Sequence, residues 1–321
     1  MPTIIHPPAL LVTGANGFVG QALVRQALQS GFPLTTATRS AWPCPGTRNA
    51  VVGNIDADTD WTAALRGCNT VIHLAARVHV MHESAADPLA EFRRANVTAT
   101  AHLARAAAAA GVQRLVYVSS IKVNGEATLP GQPFRETDAP HPQDAYARSK
   151  HEAEQLLWQI GRDTGLEIVI VRPPLVYGPG VKGNFARMLH MASWPLPLAS
   201  VRNRRDLLAV DNLASALLAC ASHPAAANQT YLLSDGAAVS TAQLLRAVAA
   251  AQGRRTRLLP FPPCWLHALG RLTGQGAALD RLLGSLEIDS SKIRRELGWH
   301  PATGLHDTLA RMAAAEKNPP G

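Results

Sequence analysis

The chain is poor in the features that mark a secreted, metal-bound or membrane protein. It has four cysteines, Cys44, Cys68, Cys220 and Cys264, with no Cys-x-x-Cys pair and no histidine pair at zinc-ligand spacing. That argues against a disulfide scaffold or a structural metal, so no metal site is expected, and it fits a cytoplasmic protein with reduced thiols. The start, Met1 to Pro8, lacks a basic segment followed by an apolar core and does not read as a secretory signal. No run of about 18 uncharged apolar residues occurs, so no membrane association is expected. The alanine-rich run Ala99–Ala110 is interrupted by His102 and Arg105 and reads as one helix. Long basic tracts are also missing. The net charge is +8, but the basic residues are dispersed, with small clusters only at Arg202/Arg204/Arg205 and Arg254/Arg255/Arg257. No nucleic-acid motif accompanies them, so nucleic acid is not an expected partner, and an arginine meeting a small-molecule phosphate is the sharper reading.

What is present is alternation. Apolar runs at Ala9–Thr13, Pro33–Thr38, Val51–Ile55, Thr70–Ala75, Arg114–Ser119 and Glu167–Val171 read as strands. Helical patterns lie between several of them: one after the first strand to about Gln29, one over about Leu89–Ala110, one over about Asp144–Asp163. Continuously apolar strands alternating with helices predict an α/β fold with a doubly wound parallel sheet, covered on both faces. After Arg172 the pattern changes. Prolines punctuate a loop-rich stretch with a short helix at Asn184–Met191. A helix at Asp211–Ser222 and a strand at Gln229–Leu233 follow, and that strand is placed to rejoin the sheet. From Ser240 the chain reads as mostly helical, with Ser240/Thr241 as a cap.

The first strand runs into Thr13-Gly14-Ala15-Asn16-Gly17-Phe18-Val19-Gly20, a GxxGxxG spacing before a helix. Such glycines permit a tight turn and close approach to a pyrophosphate, while the helix amino terminus offers amide donors. Dinucleotide binding is therefore expected at Gly14, Asn16, Gly17, Phe18, Val19 and Gly20. The second strand ends Thr38-Arg39-Ser40 with no carboxylate. An arginine there suits a 2′-phosphate, so the expected cofactor is NADP, with NAD as the alternative. Ile55 and Asp56 at the third strand's end, Leu74, Ala75 and Ala76 after the fourth, Asn96 on the following helix and Val118 in the fifth strand complete the expected cofactor site. Asp56 is assigned to the adenine amino group, and His73 is read as a packed core residue.

Tyr146-Ala147-Arg148-Ser149-Lys150 places a phenol and an ammonium on one face of a helix start. A nearby ammonium favours phenolate, so the Tyr146 pKa is expected to fall. Tyr146 can then exchange a proton with a carbinol oxygen while a hydride moves on carbon, and Lys150 holds the nicotinamide ribose. Ser120 ends the fifth strand, at the sheet edge where ligands bind, and its hydroxyl can hold the reacting oxygen.

These segments resemble the extended short-chain dehydrogenase/reductases, in particular the NAD-dependent epimerase/dehydratase family of nucleotide-sugar enzymes. TGANGFVG at Thr13–Gly20, VIHLAA at Val71–Ala76, YVSSIKVNG at Tyr117–Gly125, YARSK at Tyr146–Lys150 and RPPLVYGPG at Arg172–Gly180 carry the resemblance. RDLLAVDNLA at Arg205–Ala214 and DSSKIRRELGW at Asp289–Trp299 extend it over nearly the whole chain. The resemblance implies a Rossmann domain, residues 1–175 with about 205–233, and a smaller, mostly helical substrate domain, about 176–204 with 234–321. It implies that Pro173 lines the nicotinamide, and that Asn184, Arg205 and Arg281 contact the diphosphate of a substrate held also by Ser120. It implies a homodimer and a UDP-linked sugar substrate.

Two positions narrow the reaction. Sugar dehydratases of this family carry an Asp-Glu pair after the catalytic hydroxyl residue; here Ile121 and Lys122 stand there, so dehydration is not expected. The common Val-Tyr-Gly that follows is Val123-Asn124-Gly125, which leaves Asn124 without a role. Arg39 favours an NADPH-dependent 4-ketoreductase, and SSIKVNGE with LLGSLEIDSSKIRRELGW resembles bacterial surface-polysaccharide (O-antigen) enzymes, which implies a UDP-4-keto-6-deoxy-N-acetylhexosamine as its substrate. The alternative is a UDP-glucose or UDP-N-acetylglucosamine 4-epimerase with tightly bound NAD. A remoter alternative is a non-catalytic dinucleotide sensor, disfavoured by retention of Tyr146, Lys150 and Ser120.

Overall fold

A computed structural model describes residues 7–78, 87–192, 194–262 and 276–317. Its frame is a parallel sheet built by β1 (Leu10–Thr13), β2 (Leu34–Thr38), β3 (Arg48–Val51), β4 (Thr70–His73), β5 (Arg114–Val118), β6 (Glu167–Arg172) and β10 (Gln229–Leu232). The order is β10-β6-β5-β4-β1-β2-β3, so the chain reverses direction between β1 and β4. A crevice opens at the carboxyl ends of strands at such a reversal, and the glycine loop follows β1 there.

The central strands are buried throughout because helices cover both faces. On one face, α1 (Phe18–Gln29) packs with α7 (Val210–Ser222), joining Leu23, Ala27, Leu213 and Leu217 to Leu10, Val12 and Ile72. On the other, α4 (Ala99–Ala109) and α5 (Ala145–Thr164) join Leu103, Ala107, Leu157 and Ile160 to Leu11, Val71 and Ile168, beside the short α2 (Thr62–Leu65). The strand expected at Val51–Ile55 lies instead at Arg48–Val51. It is an edge strand, half exposed, and its apolar neighbours Val51 and Val52 fall at and beyond its end.

The expected long helix is present but not uniform. α3 (Pro88–Arg93), capped by Asp87, passes into a π-helical turn at Arg94–Thr98 before α4 begins. A π turn inserts an extra residue into the helical repeat and is often found near a functional site.

A second core gathers Tyr177 and Phe185 with Leu244, Leu245, Leu309 and Met312. It is built from β7 (Leu175–Tyr177), α6 (Asn184–Met191), β8 (Pro195–Leu196), β9 (Leu207–Ala209), α8 (Thr241–Ala251), β11 (Arg257–Leu258), α9 (Gly276–Leu283) and α11 (Leu305–Lys317). α10 (Ser291–Leu297) packs instead on the first core through Ile293 and Leu297. β7 pairs with β9 and β8 with β11; both ribbons are too short to show as apolar runs. Ser240 forms a capping box with Gln243, as its position at the start of α8 suggested. Among the described residues no helix is long and apolar enough to cross a membrane.

Candidate active site

The glycine loop is shaped by contacts that leave no room for side chains. Gly14 has φ +66°, and a Cβ on it would stand 3.0 Å from the Ala75 amide nitrogen. A Cβ on Gly20 would lie 2.2 Å from the Gly14 carbonyl oxygen. Gly17 caps α1 and contributes no side-chain acceptor, so the first amides of α1 have no capping partner. Asn16, at the turn, accepts from Gln21 Nε2 through its carbonyl at 2.9 Å. Phe18 and Val19 pack partly into the first core. A narrow cradle of glycines facing an uncapped helix start fits the pyrophosphate of a dinucleotide.

Around this cradle the expected residues fall in different positions. Leu74, Ala75 and Ala76 follow β4 and are partly exposed, with the Ala75 amide donating to Thr13 Oγ1 at 3.3 Å. Arg39 is exposed just beyond β2. Asp56 lies in the loop past β3 rather than at its end, beside half-buried Ile55, and its Oδ1 accepts from the Asp58 amide at 3.0 Å and Thr59 Oγ1 at 3.2 Å. Asn96 sits within the π turn and is buried. Its amide donates to the Arg77 carbonyl and to Ser149 Oγ, both at 3.0 Å, and accepts from the Arg77 amide at 2.8 Å. It therefore ties the chain after β4 to the residue next to Lys150.

α5 carries the Tyr-Lys pair because Asp144 caps its start, accepting from the Ala147 amide at 2.7 Å. Lys150 is 2% exposed. Its Nζ donates to the Val118 carbonyl at 2.8 Å and lies 4.5 Å from the Tyr117 ring centre and 5.9 Å from that of Tyr146. Burial brings the Lys150 ammonium down to about 7, opposed by the Glu154 carboxylate. The Tyr146 phenol is pushed up, first by burial and then by the Asp144 charge. The expectation of a lowered Tyr146 pKa is corrected here. The ammonium that was to lower it is itself desolvated, and the edge-on ring of Phe92, 6.0 Å away, adds apolar cover. Ser120 follows β5, caps a 3-10 turn at Ile121–Val123 and is partly exposed, its Oγ accepting from the Lys122 amide at 3.3 Å. Pro173 is buried behind it and accepts the Ile121 amide at 3.0 Å.

Near the reacting pair, one residue was not singled out by sequence and one was read there only as a missing acid. Ser119, beside Ser120, has a buried hydroxyl with no partner among the described residues. Lys122, in the position of a dehydratase acid, is pinned by Asp144 at 2.6 Å and Glu126 at 3.1 Å, so no acid stands there.

His73 is a core residue, as read: Nδ1 is 2.7 Å from Thr13 Oγ1 and Nε2 3.0 Å from Thr100 Oγ1. Burial, with the Lys150 charge, brings its pKa from 6.5 to about 3. A folded value below the unfolded one means that the folded chain binds fewer protons in between. This contribution is full above 6.5 and is lost as pH falls toward 3. His73→Gln should flatten the acid side of a plot of Tm against pH; an unchanged slope would show that His73 does not titrate there.

On the substrate side, Arg205 is held from several directions. Its guanidinium donates to the Gly284 carbonyl at 2.8 Å, its backbone pairs with Val239, and burial lowers its pKa. Asn184 begins α6. Its side chain, like that of Arg281 in α9, lies outside the described residues.

Comparisons with known proteins bear on the family and the fold. The family model of the NAD dependent epimerase/dehydratase family matches residues 10–233. A UDP-glucose 4-epimerase of Vibrio cholerae is 42% identical, over 96% of this chain and 95% of its own length. A 3-beta-hydroxysteroid dehydrogenase of Mycolicibacterium neoaurum is 28% identical, over 94% and 89%. Among solved structures, MoeE5 in complex with UDP-glucuronic acid and NAD superposes with a TM-score of 0.77 at 27% identity, covering 96% of this chain and 99% of that one. This chain belongs to the NAD-dependent epimerase/dehydratase family. It is an enzyme that uses an NAD-type cofactor.

Proposed function

We propose that the enzyme acts at C4 of a nucleotide-activated sugar, as a UDP-hexose 4-epimerase that keeps one NAD bound through the cycle. The observation that carries this reading is the 42% identity, nearly end to end, to the Vibrio cholerae UDP-glucose 4-epimerase. It turns the preference away from the 4-ketoreductase that Arg39 had favoured. UDP-glucose and UDP-N-acetylglucosamine are the substrates to try first.

The dinucleotide supplies a carrier that accepts a hydride and returns it. Ser120 and Tyr146 hold the C4 oxygen between two hydroxyls. Tyr146 takes the C4 hydroxyl proton as that carbon is oxidised and gives it back once the keto sugar has presented its other face. To take that proton Tyr146 must start as the phenolate, which burial disfavours, so its negative charge must be balanced locally, and Lys150 is the cation on the same helix face. Gly14, Asn16, Gly17, Phe18, Val19 and Gly20 hold the pyrophosphate, with Ile55, Asp56, Leu74, Ala75, Ala76, Val118 and Pro173 around the rest of the dinucleotide, and Asn96 acts by holding Ser149. The smaller substrate domain, about residues 176–204 with 234–321, receives the nucleotide sugar. At its border Arg205 meets the diphosphate with a fork of donors, assisted by Asn184 and Arg281.

Purified protein should be offered UDP-glucose without added reductant. Formation of the C4 epimer with no net cofactor consumption is expected. Stoichiometric loss of NADPH on a 4-keto-6-deoxy sugar, with no epimerisation of UDP-hexoses, would overturn this reading in favour of the reductase. The reductase is kept as the second reading because Arg39 stands exposed beyond β2 with no carboxylate beside it. Arg39→Asp should shift cofactor preference toward NAD; an unchanged NADP-to-NAD affinity ratio would show that Arg39 does not reach the 2′-position.

A further inference from the structure

Behind Tyr146 and Lys150 lies a buried polar cluster to which no catalytic role has been given. Arg172, the last residue of β6, faces Glu154 of α5 in a two-pronged pair, Nε to Oε1 at 2.9 Å and Nη2 to Oε2 at 2.5 Å. Its remaining nitrogen, Nη1, donates to Asn124 Oδ1 at 2.9 Å, and Asn124 Nδ2 donates to the Arg135 carbonyl at 3.0 Å. Arg172 is 6% exposed, and Glu154 and Asn124 are each 2% exposed. Taking an ion pair out of water costs about as much as the pairing returns, so such a cluster is weak evidence for a stabilising role.

Its position is more informative. Glu154 is one helical turn beyond Lys150, on the same face of α5. Asn124 closes the 3-10 turn that Ser120 opens. The backbone binds the same pieces: the Ile121 amide donates to the Pro173 carbonyl at 3.0 Å and the Ser119 amide to the Val171 carbonyl at 2.7 Å. Three chain segments, bearing Lys150, Ser120 and Pro173, thus meet at one guanidinium.

We infer that Glu154 and Asn124 are positioning residues, joined through Arg172, that set Lys150 and Ser120 in register and place a fixed negative charge behind the Lys150 ammonium. This rests on the reading of Tyr146, Lys150 and Ser120 as the catalytic trio. The groups facing Lys150 are Glu154 and Tyr146 from its own helix, Tyr117 from β5 and His73 from β4. Those facing Glu154 are Arg172 and Tyr117. Among the described residues Glu154 is the only carboxylate of this set, and its charge pulls the lysine toward the charged form. Asn124 fits this duty because a neutral amide can accept from Arg172 without competing for its charge. The spacing Tyr-x-x-x-Lys-x-x-x-Glu was legible in the sequence, but its meaning depends on Arg172 arriving from another strand.

The test is a titration of the Lys150 ammonium by NMR of protein carrying carbon-13 lysine, assigned with Lys150→Met and run without substrate. The wild-type signal should titrate near 7. In Glu154→Gln it should titrate at least one pH unit lower, and in Glu154→Asp it should return toward the wild-type value. Asn124→Leu should leave the titration in place. Glu154→Gln, which leaves the buried Arg172 guanidinium without its counter-charge, should lower Tm, and all three variants should lose roughly tenfold in kcat with little change in KM. A Lys150 titration unchanged in Glu154→Gln, or wild-type kcat in Asn124→Leu, would overturn the inference. If Glu154→Gln does not fold, Glu154→Asp decides: wild-type kcat in that variant would also overturn it. Failure of the catalytic reading shows separately, as full turnover in Tyr146→Phe.

Discussion

Tyr146→Phe should lower kcat by about a hundredfold to ten-thousandfold, the range for loss of one general acid–base group. Dinucleotide affinity should remain close to that of the unmodified protein. The substitution removes only the hydroxyl and leaves the ring against Phe92 and the cap at Asp144 intact. The size of the loss follows from the site's electrostatics. Both the Tyr146 phenol and the Lys150 ammonium are desolvated by burial, so water has poor access to replace either. Turnover of UDP-glucose measured at several pH values, beside a direct dinucleotide binding assay, separates the two effects. Full activity in Tyr146→Phe would remove this residue from the mechanism.

Gly20→Ala should weaken dinucleotide binding by roughly tenfold to a hundredfold, since overpacking a tight site costs about 1–3 kcal/mol. The added carbon would lie 2.2 Å from the Gly14 oxygen and 2.5 Å from the Ala15 oxygen, both backbone atoms that cannot rotate aside. The turn must open, and the amides of α1 then lose their alignment on the pyrophosphate. Calorimetric titration of NAD into the variant measures the effect. An unchanged Kd would show that the cradle lies elsewhere.

The fold was largely legible because strands such as β1 and β6 are mostly apolar and α5 has both a start and a stop signal. Gly165 ends α5 in the left-handed conformation, and Asp144 begins it. Legibility failed where pairing is short or exposed. The sequence of β3, Arg-Asn-Ala-Val, has no apolar periodicity, because an edge strand with half its surface in water does not need one. The β7–β9 ribbon joins residues far apart along the chain, and three-residue strands carry no readable period. At the candidate site, residue types and their spacing along α5 were readable, so Tyr146, Lys150 and Ser120 could be named. The balance of charge was not. Whether an ammonium lowers a phenol or is itself neutralised depends on burial, and burial is set by Phe92 and Tyr117 from other elements. Asn124 had no reading at all until Arg172 supplied its partner.

The outermost strand β10 reaches β6 only after the chain has built part of the second core. Neither half can therefore be lifted out as one continuous piece. A fragment ending after β6 would expose Val169, Ile170 and Val171 along an unpaired edge and would lack α7 over Leu10 and Val12, an invitation to aggregate. To exchange the half built on the second core with that of a relative, one would have to transplant an insertion and a tail separately, leaving α7 and β10 with the recipient. The sheet-bearing half is thus closed by α7 and β10, which lie in the chain between the two stretches that build most of the second core.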